Sequence, residues 1–177
     1  MGALDLDVAR SQRRIVFERP WVFVFDAPAG TAWHWRDESH ETHGSICREL
    51  KFRVTTDDAV LVLSVKDYAG PGEGRVAPDD LLARDWQRAY GGLFSEIEAL
   101  QTDLVVQAFT TCRLPAIEVV ALGMGRMCGG PAPIVVRERY VPIDRHMLVV
   151  SAMGARSLVE QHALEVERWF DSVVFRV

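Results

Sequence analysis

Three of the five histidines in this chain, His34, His40 and His43, lie within the stretch WHWRDESHETHG, residues 33–44. Imidazoles that close together raise the question of a metal centre or an acid–base site. A zinc site needs three or four ligands converging at about 2 Å. His40 and His43 share a face only if the chain turns helically there, and apart from a capping Asp37 or Ser39 nothing in DESHETHG secures such a turn. The tetrad H-E-T-H is one residue short of the H-E-x-x-H signature, and in a helix that deficit rotates the second imidazole by about 100°. His34 sits in AWHW, where strand alternation sets it opposite Trp33 and Trp35. The stretch is therefore expected to be a solvated loop with no metal ligand, and the three histidines are not expected to converge.

Nucleophilic chemistry has even less support. There is no G-x-S-x-G elbow, and Cys128 has only Arg126 nearby to stabilise a thiolate. The surrounding GMGRMCGG follows one strand-like run and leads into another, whereas a dinucleotide fingerprint needs its glycines to open a helix. Asp79-Asp80 and Glu96/Glu98 are accounted for by helix polarity and solvation. No catalytic residue and no cofactor is assigned. The enzymatic alternative is a small metal- or thiol-dependent enzyme using His34, His40 and His43, or Cys128.

Large apolar residues in irregular places suggest binding instead. Trp33 and Trp35 project from one side of a short strand, and Met124 and Met127 decorate the glycine-rich connection. Core packing accounts for most tryptophans, but methionines in loops make adaptable contacts with apolar partners. Trp33, Trp35, Met124 and Met127 are the candidate partner-binding residues.

The bulk properties bound these options. The 177 residues suit one domain, with 49% apolar and 25% charged residues, an ordinary globular composition. A net charge of -5 argues against nucleic acid or an anionic membrane as the main partner. The N-terminal stretch has acids where a signal peptide needs basic and then apolar residues, and no apolar run approaches the roughly 18 residues of a membrane span. Three cysteines without C-x-x-C spacing suggest reduced thiols and a cytoplasmic location.

The elements that would position these residues follow from periodicity. Residues 1–14 are expected to be a flexible leader and 15–177 a single domain. RRIVFERPWVFVFDAP alternates around Pro20. SICRELKFRVTT places Ile46, Leu50, Phe52 and Val54 on one face and Cys47, Glu49, Lys51 and Arg53 on the other, and a turn at Asp57-Asp58 returns it into AVLVLSV as a hairpin. Pro78, Asp79 and Asp80 open a helix whose stripe is Leu82, Trp86, Leu93, Ile97 and Leu100, interrupted by Gly91-Gly92. Strands DLVVQAFTTCRL, IEVVALGMG, PIVVRERYVPI and HMLVVSAMG follow, with links short enough for antiparallel neighbours. A capping box at Ser157–Glu160 starts the last helix, with Val159, Ala163, Val166 and Phe170 facing the sheet.

This order, with an early aromatic strand running into DAPAG and the closing segments YVPIDRHMLVVSA, SLVEQHALEVERWF and DSVVF, resembles the PsbP-like superfamily over residues 15–177. The resemblance is one of pattern. The stretch 33–44 and the GMGRMCGGPAP connection depart from it. It implies an α+β fold, a central antiparallel sheet with helices packed on its faces in an α/β/α sandwich. It also implies mostly non-enzymatic work, as in DcrB-like proteins and the bacterial Eag chaperones that shield apolar segments of type VI secretion effectors. The expected partner is the apolar segment of another protein, and a homodimer is left open.

Overall fold

The computed structural model describes residues 14–16, 22–28, 32–42, 45–69, 76–108, 113–127, 130–143 and 146–176. Arg14–Val16 (β1) and Val22–Asp26 (β2) pair antiparallel on either side of Pro20. Next come His34–Asp37 (β3), His40–Thr42 (β4), Ser45–Thr55 (β5) and Val60–Ala69 (β6). Two short helices, Pro78–Leu82 (α1) and Trp86–Tyr90 (α2), precede the longest strands, Phe94–Ala108 (β7), Arg113–Met127 (β8) and Gly130–Ile143 (β9). The chain ends with His146–Ala155 (β10), Arg156–Gln161 (α3), Ala163–Ser172 (α4) and Val174–Arg176 (β11).

One antiparallel sheet dominates, in the order β3-β5-β6-β10-β9-β8-β7 with β4 also paired to β5. A small sheet, β1-β2-β11, joins the N- and C-terminal segments. The α+β sandwich expected from the sequence is thus not the fold. The helices are 5, 5, 6 and 10 residues long, too short to form layers over strands of 14 and 15 residues. None of the helices is long and apolar enough to cross a membrane among the described residues.

The largest departure is the mid-chain helix, which stops at Tyr90, after which residues 94–108 run as β7. Its helical periodicity has a specific origin. The β7–β8 register slips between Phe94 and Glu96 and again between Ile97 and Ala99, so Phe94, Ile97 and Leu100 face Gly125, Gly123 and Ala121. Each slip inserts one extra residue, as a β-bulge does. A spacing of three on β7 therefore matches a spacing of two on β8, and one apolar face acquires the rhythm of a helix. Phe94, Ile97 and Leu100 all pack in the cluster that holds Trp86, Tyr90 and Val119.

The C-terminal helix is also divided. Its first segment starts at Arg156 with Ala155 as N-cap, no side chain caps it, and Glu160 pairs with Arg156 at 3.1 Å instead of closing a capping box with Ser157. Val166 and Phe170 are buried as expected and Val159 is partly buried, but Ala163 is exposed and Trp169 takes an inward position.

Two cores result, one on each side of the sheet. On one side Phe25, Leu50, Phe52, Val65, Leu148, Val150, Trp169 and Phe170 pack together, and Trp169 meets Phe25 and Phe52 edge-on at 5.1 and 5.4 Å. On the other side α1 and α2 bring Leu81, Trp86 and Tyr90 onto Ile117, Val119, Val136 and Val149. Alternation along β10 assigns Leu148 and Val150 to the first core and Val149 to the second. The β5–β6 hairpin forms as expected, with Thr56 N donating to Ala59 O at 2.9 Å across the Asp57-Asp58 turn.

Candidate functional site at the edge of the sheet

The stretch expected as a loop is a strand. His34–Asp37 and His40–Thr42 pair with β5 in one unbroken register, His34 opposite Arg53, Arg36 opposite Lys51 and His40 opposite Cys47. The register holds through Glu38-Ser39, the two residues that separate the strands. There Ser39 N donates to Asp37 Oδ1 at 2.9 Å, Glu49 N donates to Ser39 Oγ at 3.1 Å, and Glu38 N donates to Glu49 O at 2.9 Å. The polar run DES that suggested solvent is thus tied into the sheet by its own short side chains.

Alternation then decides what each face carries. His34 and Arg36 share a face with Lys51 and Arg53, and with Glu38 they line an open groove of about 200 Å³. Lys51 binds the Glu38 carboxylate and lies 3.4 Å from Glu49 Oε1, which Lys66 approaches at 3.3 Å from the other side. The hydrogen bond donated by Lys51 holds the Glu38 carboxyl below the usual range, helped by the charges of Lys51, Arg53 and Arg36 against an opposing desolvation. Arg36 and Arg53 have no carboxylate partner among the described residues. On the reverse face of the same strand Trp35 stands beside Phe52 and is 46% exposed.

The histidines do not come together. His34 and His40 oppose positions six residues apart on β5, about 20 Å along the strand. The Nδ1 of His40 is 3.2 Å from the carbonyl oxygen of Glu38. His43 lies outside the described residues, and among those described no group of three His, Cys, Asp or Glu side chains is placed to hold a metal ion. Cys128 and Cys112 also lie outside. Cys47 is a buried free thiol whose pKa burial pushes up, which disfavours a reactive thiolate.

The four partner-binding candidates separate. Trp33 is only 7% exposed, and its ring meets His162 edge-on at 5.5 Å inside the first core. Met124 and Met127 belong to strand β8, not to a loop, and Met127 packs against both cores. The glycines around Met124 serve close approach: a Cβ at Gly123 would fall 2.1 Å from Glu96 O, and one at Gly125 2.8 Å from Leu93 O. Trp35 lies five strand positions from β8, about 24 Å across the sheet, so it forms no patch with Met124. Of the four, Trp35 alone is exposed to solvent by a large area. The groove residues Arg36, Glu38, Lys51 and Arg53 were not recognised from the sequence as a site. Their signal is the matching alternation H-x-R-x-E and E-x-K-x-R, which becomes informative once the two segments are paired.

Other polar clusters are internally satisfied. Tyr90 and Tyr140 both donate to Glu138 Oε2, at 2.6 and 2.5 Å, and burial raises both phenols. Asp67 and His146 form a buried pair at 2.7 Å between β6 and β10. Arg139 binds Glu118 and Gln107, and Arg137 binds Glu118 and Glu167, with both guanidinium groups over the ring of Phe170.

No family model matches the chain, and no curated protein matches it. Among solved structures it is similar to PA94 from Pseudomonas aeruginosa, a protein of unknown function, with a TM-score of 0.51 and 10% sequence identity over 93% of this chain and 98% of that one. At that identity the likeness concerns the fold alone.

Proposed function

We propose that the protein is a non-enzymatic adaptor that holds an apolar segment of another protein, and that Trp35 is the anchor. The finer version, which rests on the PsbP-like resemblance, is a cytoplasmic chaperone for a secreted effector. One observation carries the reading: a tryptophan 46% exposed on the edge strand of the main sheet, opposite Phe52, with Arg36 and Arg53 on the reverse face of the same strand pair. Tryptophan and arginine are the residues most enriched among those that dominate protein–protein binding. An indole left in water gains from being covered, by about 1.5–3 kcal/mol for a large side chain. An edge strand also offers unpaired backbone groups to an incoming chain.

The test is capture of partners from native lysate by wild type and Trp35→Ala, with thermal unfolding as the control for folding. Because Trp35 is exposed at an edge, the variant should melt near the wild-type temperature and lose roughly tenfold or more in partner affinity. Undiminished capture would refute Trp35 as the anchor. Loss on changing Leu104 and Val106 instead, which are 58% and 64% exposed on β7, would move the surface to the opposite edge.

A further inference from the structure

We infer that the groove on the face of the edge strand opposite Trp35 is a carboxylate-binding site, and that the partner segment is an extended one in which acidic residues alternate with apolar ones. The inference rests on the adaptor reading and adds the chemistry of its ligand. One like-charged pair stands directly across the β3–β5 ladder, Arg36 opposite Lys51, and beside it the His34 imidazole stands opposite Arg53. Like charges in that position destabilise a sheet. Among the described residues the one carboxylate that lines the groove is Glu38, and it is engaged by Lys51. Arg36 and Arg53 act on Glu38 through their charge but form no ion pair with an acid among the described residues, in a chain whose net charge is -5. A guanidinium fork without an acid is suited to a bidentate carboxylate.

The geometry also specifies the form of the ligand. Among the described residues β3 pairs only with β5, so its outer edge is open to an added strand. Side chains of an added strand alternate between the two sheet faces. One set would cover Trp35, and the other would enter the face that carries His34, Arg36, Lys51 and Arg53. The groove, at about 200 Å³, is below the usual size of a small-molecule pocket and suits the ends of acidic side chains.

The experiment is titration of the full chain with a fluorescent oligoglutamate peptide, an oligolysine peptide and inorganic phosphate, at low and high salt. Oligoglutamate should bind with an affinity that falls as salt rises, and oligolysine should not bind this face. Arg36→Gln with Arg53→Gln should weaken oligoglutamate binding about tenfold or more while leaving the melting temperature near wild type, since removing two like charges from an exposed ladder relieves repulsion. Oligoglutamate binding that survives the double substitution overturns the proposal. So does phosphate binding without peptide binding, which would make the groove a small-anion site. Trp35→Ala separates the two readings: it should leave oligoglutamate binding intact and weaken partner capture by roughly tenfold or more. If capture survives Trp35→Ala while the groove still binds oligoglutamate, the anchor is wrong and the carboxylate site stands.

Discussion

Lys51 lies between two carboxylates, Glu38 and Glu49, and that position governs how the groove titrates. Its hydrogen bond holds the Glu38 pKa down, so Glu38 contributes stability that is present above its unfolded value and is lost as pH falls through the lower folded value. The pair is largely exposed, so the contribution is small, but the titration itself is measurable. In Lys51→Met the Glu38 carboxyl should return toward the ordinary range near 4.3, read by a pH titration of its side-chain carbon resonance. An unchanged midpoint would show that the arginines alone set it. At this scale the sequence was partly legible. The expected opposite faces of residues 49–54 are those observed, Leu50, Phe52 and Val54 on the core side and Glu49, Lys51 and Arg53 on the other, so Lys51 and Arg53 were already on one side of a strand. What they faced was not legible, because that depends on the partner strand. Trp33 shows the same gap: alternation paired it with Trp35, yet one is buried against His162 and the other is half in water.

Among the elements, β7 and β8 carry the clearest departure from sequence expectation. Leu93, expected in the helical stripe, is 43% exposed in the turn before β7, and residues 94–100 form a bulged strand in which two register slips give Phe94, Ile97 and Leu100 a three-residue spacing. The two glycines that suggested a flexible connection permit that crossing, as any side chain at Gly123 would meet the backbone of Glu96. Gly123→Ala should therefore destabilise the protein by about 1–3 kcal/mol in urea unfolding, the usual range for overpacking. Gly92→Ala, whose added Cβ meets nothing within 4 Å, should stay within about 0.5 kcal/mol of wild type. Equal effects at both positions would mean that backbone freedom, not the close approach, is what Gly123 supplies. The β5–β6 hairpin, by contrast, was readable in full, since alternation and a two-aspartate turn are local signals.

On the scale of the whole molecule, two cores share one sheet, and β10 contributes alternate side chains to each. Damage to either should propagate through the shared strand. Trp169→Ala in the first core and Trp86→Ala in the second should each cost roughly 3–5 kcal/mol and lower a single transition. Far-ultraviolet circular dichroism and the remaining tryptophan fluorescence should report that transition at the same midpoint. Separate midpoints in either variant would show that the two faces fold independently.

The sequence by itself determined the strand-rich second half, the apolar face of β5, the burial of Val166 and Phe170 on α4, and the absence of any standard metal or nucleophile signature. Each is a property of neighbours along the chain, carried by periods of 2 or 3.6 residues. Only the tertiary structure decided that residues 34–42 form a strand, that 94–108 are not a helix, and that the result is a strand-dominated fold with short caps instead of layers of helix. The groove belongs to this second group, because His34 and Arg36 meet Lys51 and Arg53 only through the antiparallel pairing of β3 with β5. Register is an interaction between segments, and a one-residue slip would have turned Trp35 into the groove and the cations out of it.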